Sequence, residues 1–278
     1  MTRKISILFT LIFTLASLPV RAQLVSDTTW IAGDHSRLCV VTEHKAGIAL
    51  PADVVITCHG FMSSAEEPLV SNIAREVAEA GLIAVRFDFN GHGRSEGDFS
   101  DMTVPNEMKD LEAVIAWVKA QPWCKSVSLH GQSQGGVVAG MVAGQLGYPA
   151  IKKLVLTAPA AVLREDAIRG ETFGTKYRYW DLPDEGVTLK AGPRSLQLGK
   201  NYIQTAVNLD IFPTSWKYDG PVMIMHGTHD TIAPFSYGQM YDTGYKNSTL
   251  HLVDGENHGF SGSIPEVAKT AATFFATN

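Results

Sequence analysis

The sequence predicts an α/β domain whose mostly parallel sheet is flanked by helices and interrupted by one long insertion. Apolar strand-like runs alternate with helix-like runs from residue 53 onward, a pattern typical of parallel sheets covered on both faces. The composition agrees, because 45% of the 278 residues are hydrophobic and 18% are charged, as in ordinary globular domains. This length is near the upper end of what a single core supports.

The predicted elements follow one another in a regular order. Strands are expected in DVVITCHG (53–60), LIAVRFDF (82–89), SVSLHG (126–131), KKLVLTAPA (152–160), PVMIMHG (221–227) and STLHLVDG (248–255). Helices are expected in EPLVSNIAREVAEAG (67–81), VPNEMKDLEAVIAWVKAQ (104–121), QGGVVAGMVAGQL (134–146) and PFSYGQMYDTG (234–244), and from about Pro265 to the end. TTWIAGDHSRLCVVTEH (28–44) predicts an antiparallel hairpin at the edge of the sheet.

Residues 160–216 break this alternation. Aromatic residues lie in this stretch among polar residues and prolines, including Tyr177, Tyr179, Trp180, Tyr202 and Phe212. A loop of this length inside a compact domain is usually functional, and large aromatic side chains are costly to leave in water. We therefore predict a lid over a binding site, with an irregular surface excursion as the alternative.

The first 22 residues predict a signal peptide. Arg3 and Lys4 precede an apolar run, and Val20-Arg21-Ala22 places small residues at the −3 and −1 positions of a cleavage site after Ala22. We expect residues 23–278 to form the mature α/β domain, exported to the periplasm or secreted, with no stable membrane anchor. An uncleaved anchor is the alternative.

Charge and cysteine usage restrict the partners. A net charge of −5 without a cluster of lysine or arginine argues against nucleic acid. Cys39, Cys58 and Cys124 are not in metal-ligand spacing. Export would permit one disulfide, but no pair is favoured, and Cys58 lies in an apolar strand. We predict no metal and no cofactor, and the sequence predicts no oligomeric state.

One serine stands between two glycines in SLHGQSQGGVV, residues 128–138. Gly131-Gln132-Ser133-Gln134-Gly135 alone is a weak pattern, since glycine and serine are common in loops. Its flanks make it specific, because a short apolar strand precedes it and a helical apolar pattern follows. A strand, a tight turn and a helix are the context in which this motif indicates a nucleophile elbow.

A serine nucleophile needs a base and a group that orients the base. In sheets of this type such groups lie in loops after the carboxyl ends of strands. THDTIAP follows one predicted strand and supplies Asp230, and ENHGFSG follows the next and supplies His258. We predict Ser133 as nucleophile, His258 as base and Asp230 as orienting acid, the chain order of α/β hydrolases. Asp254, four residues before His258, is the rival carboxylate.

An oxyanion hole requires two aimed N–H donors. The backbone N–H of Gln134 lies at the start of the predicted helix, where N–H groups lack helical partners. The second donor should come from an early strand-end loop, and His59-Gly60-Phe61 makes the N–H of Phe61 the candidate. His59 itself is expected to shape this loop.

Six segments together resemble the bacterial cinnamoyl (feruloyl) esterases of the α/β-hydrolase fold: CHGF, FDFNGHGRSEG, HGQSQGGVV, LTAPAAVL, HGTHD and NHGF. The resemblance runs from about residue 28 to the end. It implies a serine carboxylesterase that cleaves small phenolic esters of ferulate, caffeate or coumarate, whose alcohol can be a plant cell-wall sugar or quinate. It assigns the same triad and oxyanion donors, and it implies that Asp166 and Tyr202 in the lid meet the phenolic hydroxyl.

The chain departs from this family at two positions. Gln132 stands where the family commonly has histidine, and Phe173 stands where a polar residue is usual. The first change should leave the chemistry intact, since this side chain is outside the triad. The second change, together with a longer lid, bears on substrate preference rather than on activity.

Three other classes of function compete with this interpretation. A general short-chain carboxylesterase or a peptidase-like serine hydrolase would use the same triad and differ only in the lid. A metallohydrolase could draw on His226, His229, Asp230, His251 and His258, but His226 is expected to end a buried strand and His251 to alternate within one. A non-catalytic relative would usually lack a triad member, whereas this chain keeps all three.

Overall fold

The computed structural model describes residues 23–191 and 194–277, in which strands and helices alternate as predicted. The strands are β1 (Leu24–Ala32), β2 (Arg37–Lys45), β3 (Ala52–Cys58), β4 (Ile83–Phe87), β5 (Cys124–Gln132), β6 (Leu154–Thr157), β7 (Glu171–Thr172), β8 (Thr175–Lys176), β9 (Val187–Ala191), β10 (Arg194–Leu198), β11 (Val222–Gly227) and β12 (Ser248–Val253). The α-helices are α1 (Pro68–Glu79), α2 (Val104–Lys119), α3 (Gln134–Leu146), α4 (Val162–Arg169), α5 (Lys200–Ala206), α6 (Ile211–Ser215), α7 (Ser236–Gly244) and α8 (Ile264–Ala276). Single 3₁₀ turns span Phe99–Asp101 and Tyr179–Asp181.

Eight strands form one sheet in the order β1-β2-β4-β3-β5-β6-β11-β12. The β1–β2 hairpin and the β2–β4 pair are antiparallel, and the other pairs are parallel, as predicted. From β3 the chain first moves outward to β4 and then crosses back to β5 on the other side of β3. Such a reversal leaves a crevice at the carboxyl ends of the strands, where ligands bind in open α/β sheets.

Both faces of the sheet are covered by helices. Along β3, Val55 packs with Leu69 and Ile73 of α1 on one face, whereas Ile56 packs in the same core as Val138 of α3 on the other face. Successive strand residues point to opposite faces, so a strand buried on both sides is a continuous apolar run. This burial fixes the strand ends, and the loops that follow them, in a rigid frame.

Most of the chain between β6 and β11 forms the insertion. It contains α4, the small hairpins β7–β8 and β9–β10, and α5. α6 instead packs against α3, and Phe212 contacts Trp216 and Tyr241, so the end of the predicted 160–216 stretch belongs to the helix layer of the sheet. The expectation that aromatic residues of the insertion avoid water is wrong for Trp180, which is 83% exposed.

The predicted signal peptide, residues 1–22, lies outside the described residues. In the described part of the chain, no helix has the length and apolar character needed to cross a membrane. Cys39 and Cys58 are buried and Cys124 is partly buried, and all three carry free thiols.

Candidate active site

Ser133 occupies a strained turn between β5 and α3. Its φ of 57° and ψ of −122° lie in a region that non-glycine residues rarely adopt. A Cβ at Gly131 would overlap the carbonyl of Gly135, and a Cβ at Gly135 would overlap the carbonyl of His59. Glycine is therefore required on both sides for the turn to be this tight. The N–H of Ser133 donates to the carbonyl of Thr157 at 3.0 Å, which anchors the turn to β6.

Three side chains from separate loops form one hydrogen-bonded chain. Ser133 Oγ lies 2.8 Å from His258 Nε2, and His258 Nδ1 lies 2.7 Å from Asp230 Oδ2. A carboxylate accepts only, so the proton of the neutral ring is on Nδ1. Nε2 is then free to accept the proton of the Ser133 hydroxyl. The structure thus brings together the three residues predicted as the triad.

Asp230 is the carboxylate beside His258, and Asp254 is not. Asp254 is exposed, and its Oδ1 accepts the hydroxyl of Thr228 at 3.2 Å. Asp230 Oδ1 accepts the N–H groups of Ile232 and Ala233, both at 2.9 Å. These bonds fix the carboxylate while its second oxygen faces His258.

His226 is a second partner of Asp230 that the sequence interpretation did not assign. Its Nε2 lies 2.8 Å from the carbonyl of Ala233 and 3.1 Å from Asp230 Oδ2. Since a carbonyl only accepts, Nε2 of His226 carries a proton. Burial alone would raise the pKa of Asp230, but hydrogen bonds from His226, His258 and Ala233 N–H lower it well below its usual range. Asp230 is therefore ionised across the neutral pH range.

The two predicted oxyanion donors lie beside Ser133. Phe61 and Gln134 line the same cavity as the serine, and neither backbone N–H donates to another described residue. Nδ1 of His59 donates to the carbonyl of Gly60 at 2.8 Å, and its Nε2 accepts the N–H of Phe89 at 3.1 Å. His59 therefore holds the loop that carries the N–H of Phe61.

Two cavities meet at Ser133. The first, of about 490 Å³, runs beneath α4 and the β7–β8 hairpin, and its walls include Val162, Leu163, Asp166 and Tyr202. The second, of about 450 Å³, opens on the His258 side. The two share five lining residues, Phe61, Ser133, Phe173, Thr231 and Ile232.

The predicted substrate-binding residues both line the first cavity. Asp166 is ion-paired with Arg169 one helical turn away, and burial raises its pKa although Arg169 opposes the shift. Tyr202 is buried, and its hydroxyl donates to the side-chain carbonyl of Gln134 at 2.7 Å. The Tyr202 oxygen can therefore only accept a hydrogen bond from a ligand.

Glu107 completes this arrangement and was not predicted. The side-chain amide of Gln134 donates to the buried carboxyl of Glu107 at 2.8 Å, and burial raises the pKa of Glu107 well above its usual range. Glu107 fixes which end of the Gln134 amide faces Tyr202. Glu107 is among the buried residues of α2, and a single acidic residue in a helix gives no sequence signal that its carboxyl is buried.

Phe173 lies at the tip of the β7–β8 hairpin. Its φ is +47° and that of Gly174 is +75°, the combination required by a two-residue type I′ turn. The ring stacks on Phe61 with a centroid separation of 5.4 Å and an interplanar angle of 8°. Phe173 therefore forms part of the wall between the two cavities, directly over the loop that carries one oxyanion donor.

Comparisons with known proteins agree with this fold. Residues 49–180 match a family model described as serine aminopeptidase, S33. The chain is 27% identical over 216 residues to the lysophosphatidylserine lipase ABHD12 of Danio rerio, a match that covers 76% of this chain and 52% of that protein. It is 31% identical over 109 residues to an uncharacterized 31.7 kDa protein of Escherichia coli, covering 34% and 38% of the two chains. The chain thus spans about half the length of these curated relatives, or less.

Solved structures give a fuller match. Est1E from Butyrivibrio proteoclasticus with ferulic acid bound superposes with a TM-score of 0.82 at 27% identity, covering 88% of this chain and 97% of Est1E. A second structure of Est1E gives 0.79 at 25% identity, covering 89% and 96%.

The fold and these matches define the class: the chain has the α/β-hydrolase fold, and Ser133, His258 and Asp230 lie in the arrangement of a serine-hydrolase triad. Within that class it is similar to Est1E along nearly the whole length of that protein.

Proposed function

We propose that the protein is a carboxylesterase that hydrolyses hydroxycinnamate esters through an acyl-enzyme on Ser133. The observation that carries this proposal is the continuous chain Ser133–His258–Asp230, which opens onto a cavity of mixed apolar and polar lining with Asp166 and Tyr202 in its wall. A planar phenolic acid needs an apolar slot with a few placed polar groups. The similarity to Est1E, solved with ferulic acid, supports the same acyl class.

The first half of the reaction forms the acyl-enzyme. Ser133 Oγ attacks the ester carbonyl carbon while His258 Nε2 takes the hydroxyl proton over the 2.8 Å contact. The negative charge that develops on the carbonyl oxygen is stabilised by the N–H groups of Phe61 and Gln134. Asp230, held ionised by its hydrogen bonds, stabilises the imidazolium. Collapse of the intermediate breaks the C–O bond, and the alcohol leaves with the proton from His258.

The second half regenerates the enzyme. A water molecule attacks the acyl carbon, and His258 takes a proton from it. The same two N–H groups stabilise the second tetrahedral intermediate. Its collapse breaks the bond to Ser133 Oγ, which regains a proton from His258, and the free acid is released. Every proton in this cycle moves through His258 Nε2, so the reaction needs no cofactor.

Acyl specificity is tested with methyl esters that differ only in ring hydroxylation. We expect methyl ferulate, caffeate and coumarate to have a higher kcat/KM than methyl cinnamate, because a site that hydrogen-bonds a hydroxyl disfavours analogues without it. Asp166→Ala and Tyr202→Phe should narrow that gap by about tenfold each, the effect of one lost hydrogen bond. Asp181→Ala, in the insertion but outside the first cavity, is the matched control. Equal rates on cinnamate and ferulate would contradict the proposal.

A general short-chain carboxylesterase is the second candidate, favoured by one specific observation. Both polar groups proposed to meet the phenol already have partners, since Tyr202 donates to Gln134 and Asp166 is paired with Arg169. A site that makes no use of them would select acyl groups by size alone. In the same panel, methyl butyrate would then exceed methyl ferulate in kcat/KM, and Tyr202→Phe would change neither.

A further inference from the structure

Three buried polar side chains form a hydrogen-bonded chain from α2 to the wall of the first cavity. The side-chain amide of Gln134 donates to Glu107 Oε2 at 2.8 Å, and its carbonyl oxygen accepts the Tyr202 hydroxyl at 2.7 Å. All three side chains are at most 3% exposed. Because bulk water cannot replace these partners, the orientation of each group depends on the next one along the chain.

The direction of this chain is set at its Glu107 end. Nε2 of Gln134 faces two acceptors, Glu107 Oε2 and, at 3.5 Å, Met102 Sδ. A thioether has no proton to donate, and an ionised carboxylate only accepts. Burial raises the pKa of the Glu107 carboxyl, and the contact keeps its direction in the neutral form when the proton is on Oε1. Reversing the Gln134 amide would turn its carbonyl oxygen toward both acceptors, which is unfavourable.

The same direction determines what Tyr202 offers to a ligand. A tyrosine hydroxyl has one proton, and here that proton is donated to Gln134. Tyr202 and Asp166 line the first cavity, and Asp166 in its ionised form is a second acceptor, while Arg169 in the same wall is paired with Asp166. A ring substituent that reaches these groups is therefore held best when it donates a hydrogen bond.

We propose that Glu107 is a positioning residue that selects the ring substituent of the acyl group. Acting through Gln134, it keeps the Tyr202 hydroxyl an acceptor, so the site favours a ring with a hydrogen-bond donor and disfavours the corresponding ether. Glu107 itself lines neither cavity. The inference rests on the proposed hydroxycinnamate function and deepens it, because it distinguishes a free phenol from an alkylated one.

The test uses methyl cinnamates whose para substituents are matched in size. Hydroxyl is paired with methyl, and methoxy is paired with ethyl, so each pair differs mainly in hydrogen bonding. In the wild type we expect kcat/KM to be about tenfold higher for hydroxyl than for methyl, the effect of one hydrogen bond. We expect methoxy and ethyl to be about equal, because Tyr202 has no proton left for an ether oxygen.

Glu107→Gln should raise the methoxy-to-ethyl ratio about threefold or more. Glutamine can donate as well as accept, so the Gln134 amide can reverse and the Tyr202 hydroxyl can donate to the ether. The hydroxyl-to-methyl ratio should change less than about twofold, since a phenol pairs with Tyr202 in either direction. A merely structural effect would act alike on both members of a pair. Glu112→Gln, the same substitution at an exposed position of α2, is the control and should change neither ratio.

A second variant keeps the test decisive if Glu107→Gln does not fold by circular dichroism. Tyr202→Phe should lower the hydroxyl-to-methyl ratio about tenfold and leave the methoxy-to-ethyl ratio unchanged. The role of Glu107 would be overturned by a wild-type methoxy-to-ethyl ratio above about three, by a fall of that ratio in Tyr202→Phe, or by no rise in folded Glu107→Gln. In each of these cases a high hydroxyl-to-methyl ratio would still support the proposed function. A hydroxyl-to-methyl ratio near one would overturn both.

Discussion

One 2.8 Å hydrogen bond joins the ring of His59 to the carbonyl of Gly60. That carbonyl and the N–H of Phe61 belong to the same planar trans peptide, so they point in opposite directions. Holding the carbonyl therefore aims the N–H. Burial, with a smaller contribution from His92, lowers the pKa of His59 to about 3, and the neutral ring keeps the tautomer that both hydrogen bonds require. His59 acts as a positioning residue for the proposed oxyanion hole.

The consequence is that His59→Leu should lower kcat more than it raises KM. A misaimed oxyanion donor costs transition-state stabilisation, about 10²-fold in kcat for one donor, whereas ground-state ester binding is made elsewhere. His59→Gln can restore a donor and should recover part of the loss. Steady-state kinetics on a methyl ester provide the measurement, with His251→Gln on exposed β12 as control. A rise in KM with kcat unchanged would argue against the positioning role.

Substitution of Asp230 should lower kcat far more than substitution of Asp254. Asp230→Asn removes the charge that stabilises the His258 imidazolium and should lower kcat by about 10³- to 10⁴-fold. Asp254→Asn changes an exposed group that contacts Thr228 and should alter kcat less than twofold. Ser133→Ala should lower kcat by at least about 10⁴-fold. Peptide mass spectrometry after treatment with a fluorophosphonate should find the adduct on Ser133 alone. The reverse order of the aspartates would reject this triad.

Stability should fall in acid because of two buried histidines. Burial lowers the pKa of His59 and of His130 to about 3, below the value of about 6.5 for the unfolded chain. Between these two pH values the unfolded chain binds protons that the folded chain does not. The stabilisation is fully present above pH ~6.5 and each histidine removes about 1.4 kcal/mol per pH unit as the pH falls toward 3. Glu107 opposes this trend, because burial raises its pKa.

Urea unfolding between pH 4 and 7 measures this slope. His130→Asn removes one of the two groups and should reduce the dependence of the unfolding free energy on pH by about one proton. His251→Asn, at an exposed position, should leave the slope unchanged. Equal slopes in the wild type and His130→Asn would show that His130 takes up its proton without unfolding.

We expect Phe173 to lower the stability of the folded chain and to improve substrate binding. Its positive φ of 47° costs about 1–2 kcal/mol in a non-glycine residue, so Phe173→Gly should raise the melting temperature. The same change removes the ring stacked on Phe61 and should lower kcat/KM for a feruloyl ester about tenfold, in line with a lost aromatic contact. Tyr179→Ala, an aromatic of the insertion that lines neither cavity, is the control. A stable variant with full activity would show that the ring does not contact substrate.

The sequence alone determined the frame of this protein. Strand periodicity and its alternation with helices predicted the parallel sheet, because both are local properties of ten or so residues. The elbow at Ser133 and the loops after β11 and β12 could be located because the carboxyl ends of parallel strands meet at one edge. The same rule predicted that Asp230 and His258 lie near Ser133, although they are 97 and 125 residues away in the chain.

The tertiary structure decided what surrounds those three residues. The second bond to Asp230 from His226 and the Glu107–Gln134–Tyr202 chain each depend on how side chains from separate segments meet. Periodicity assigns such residues to a buried face but carries no information on which polar atoms find partners there. Hydrogen-bond pairing in a core is set by ångström-scale packing between distant segments, so these contacts and the two cavities emerge only in the folded chain.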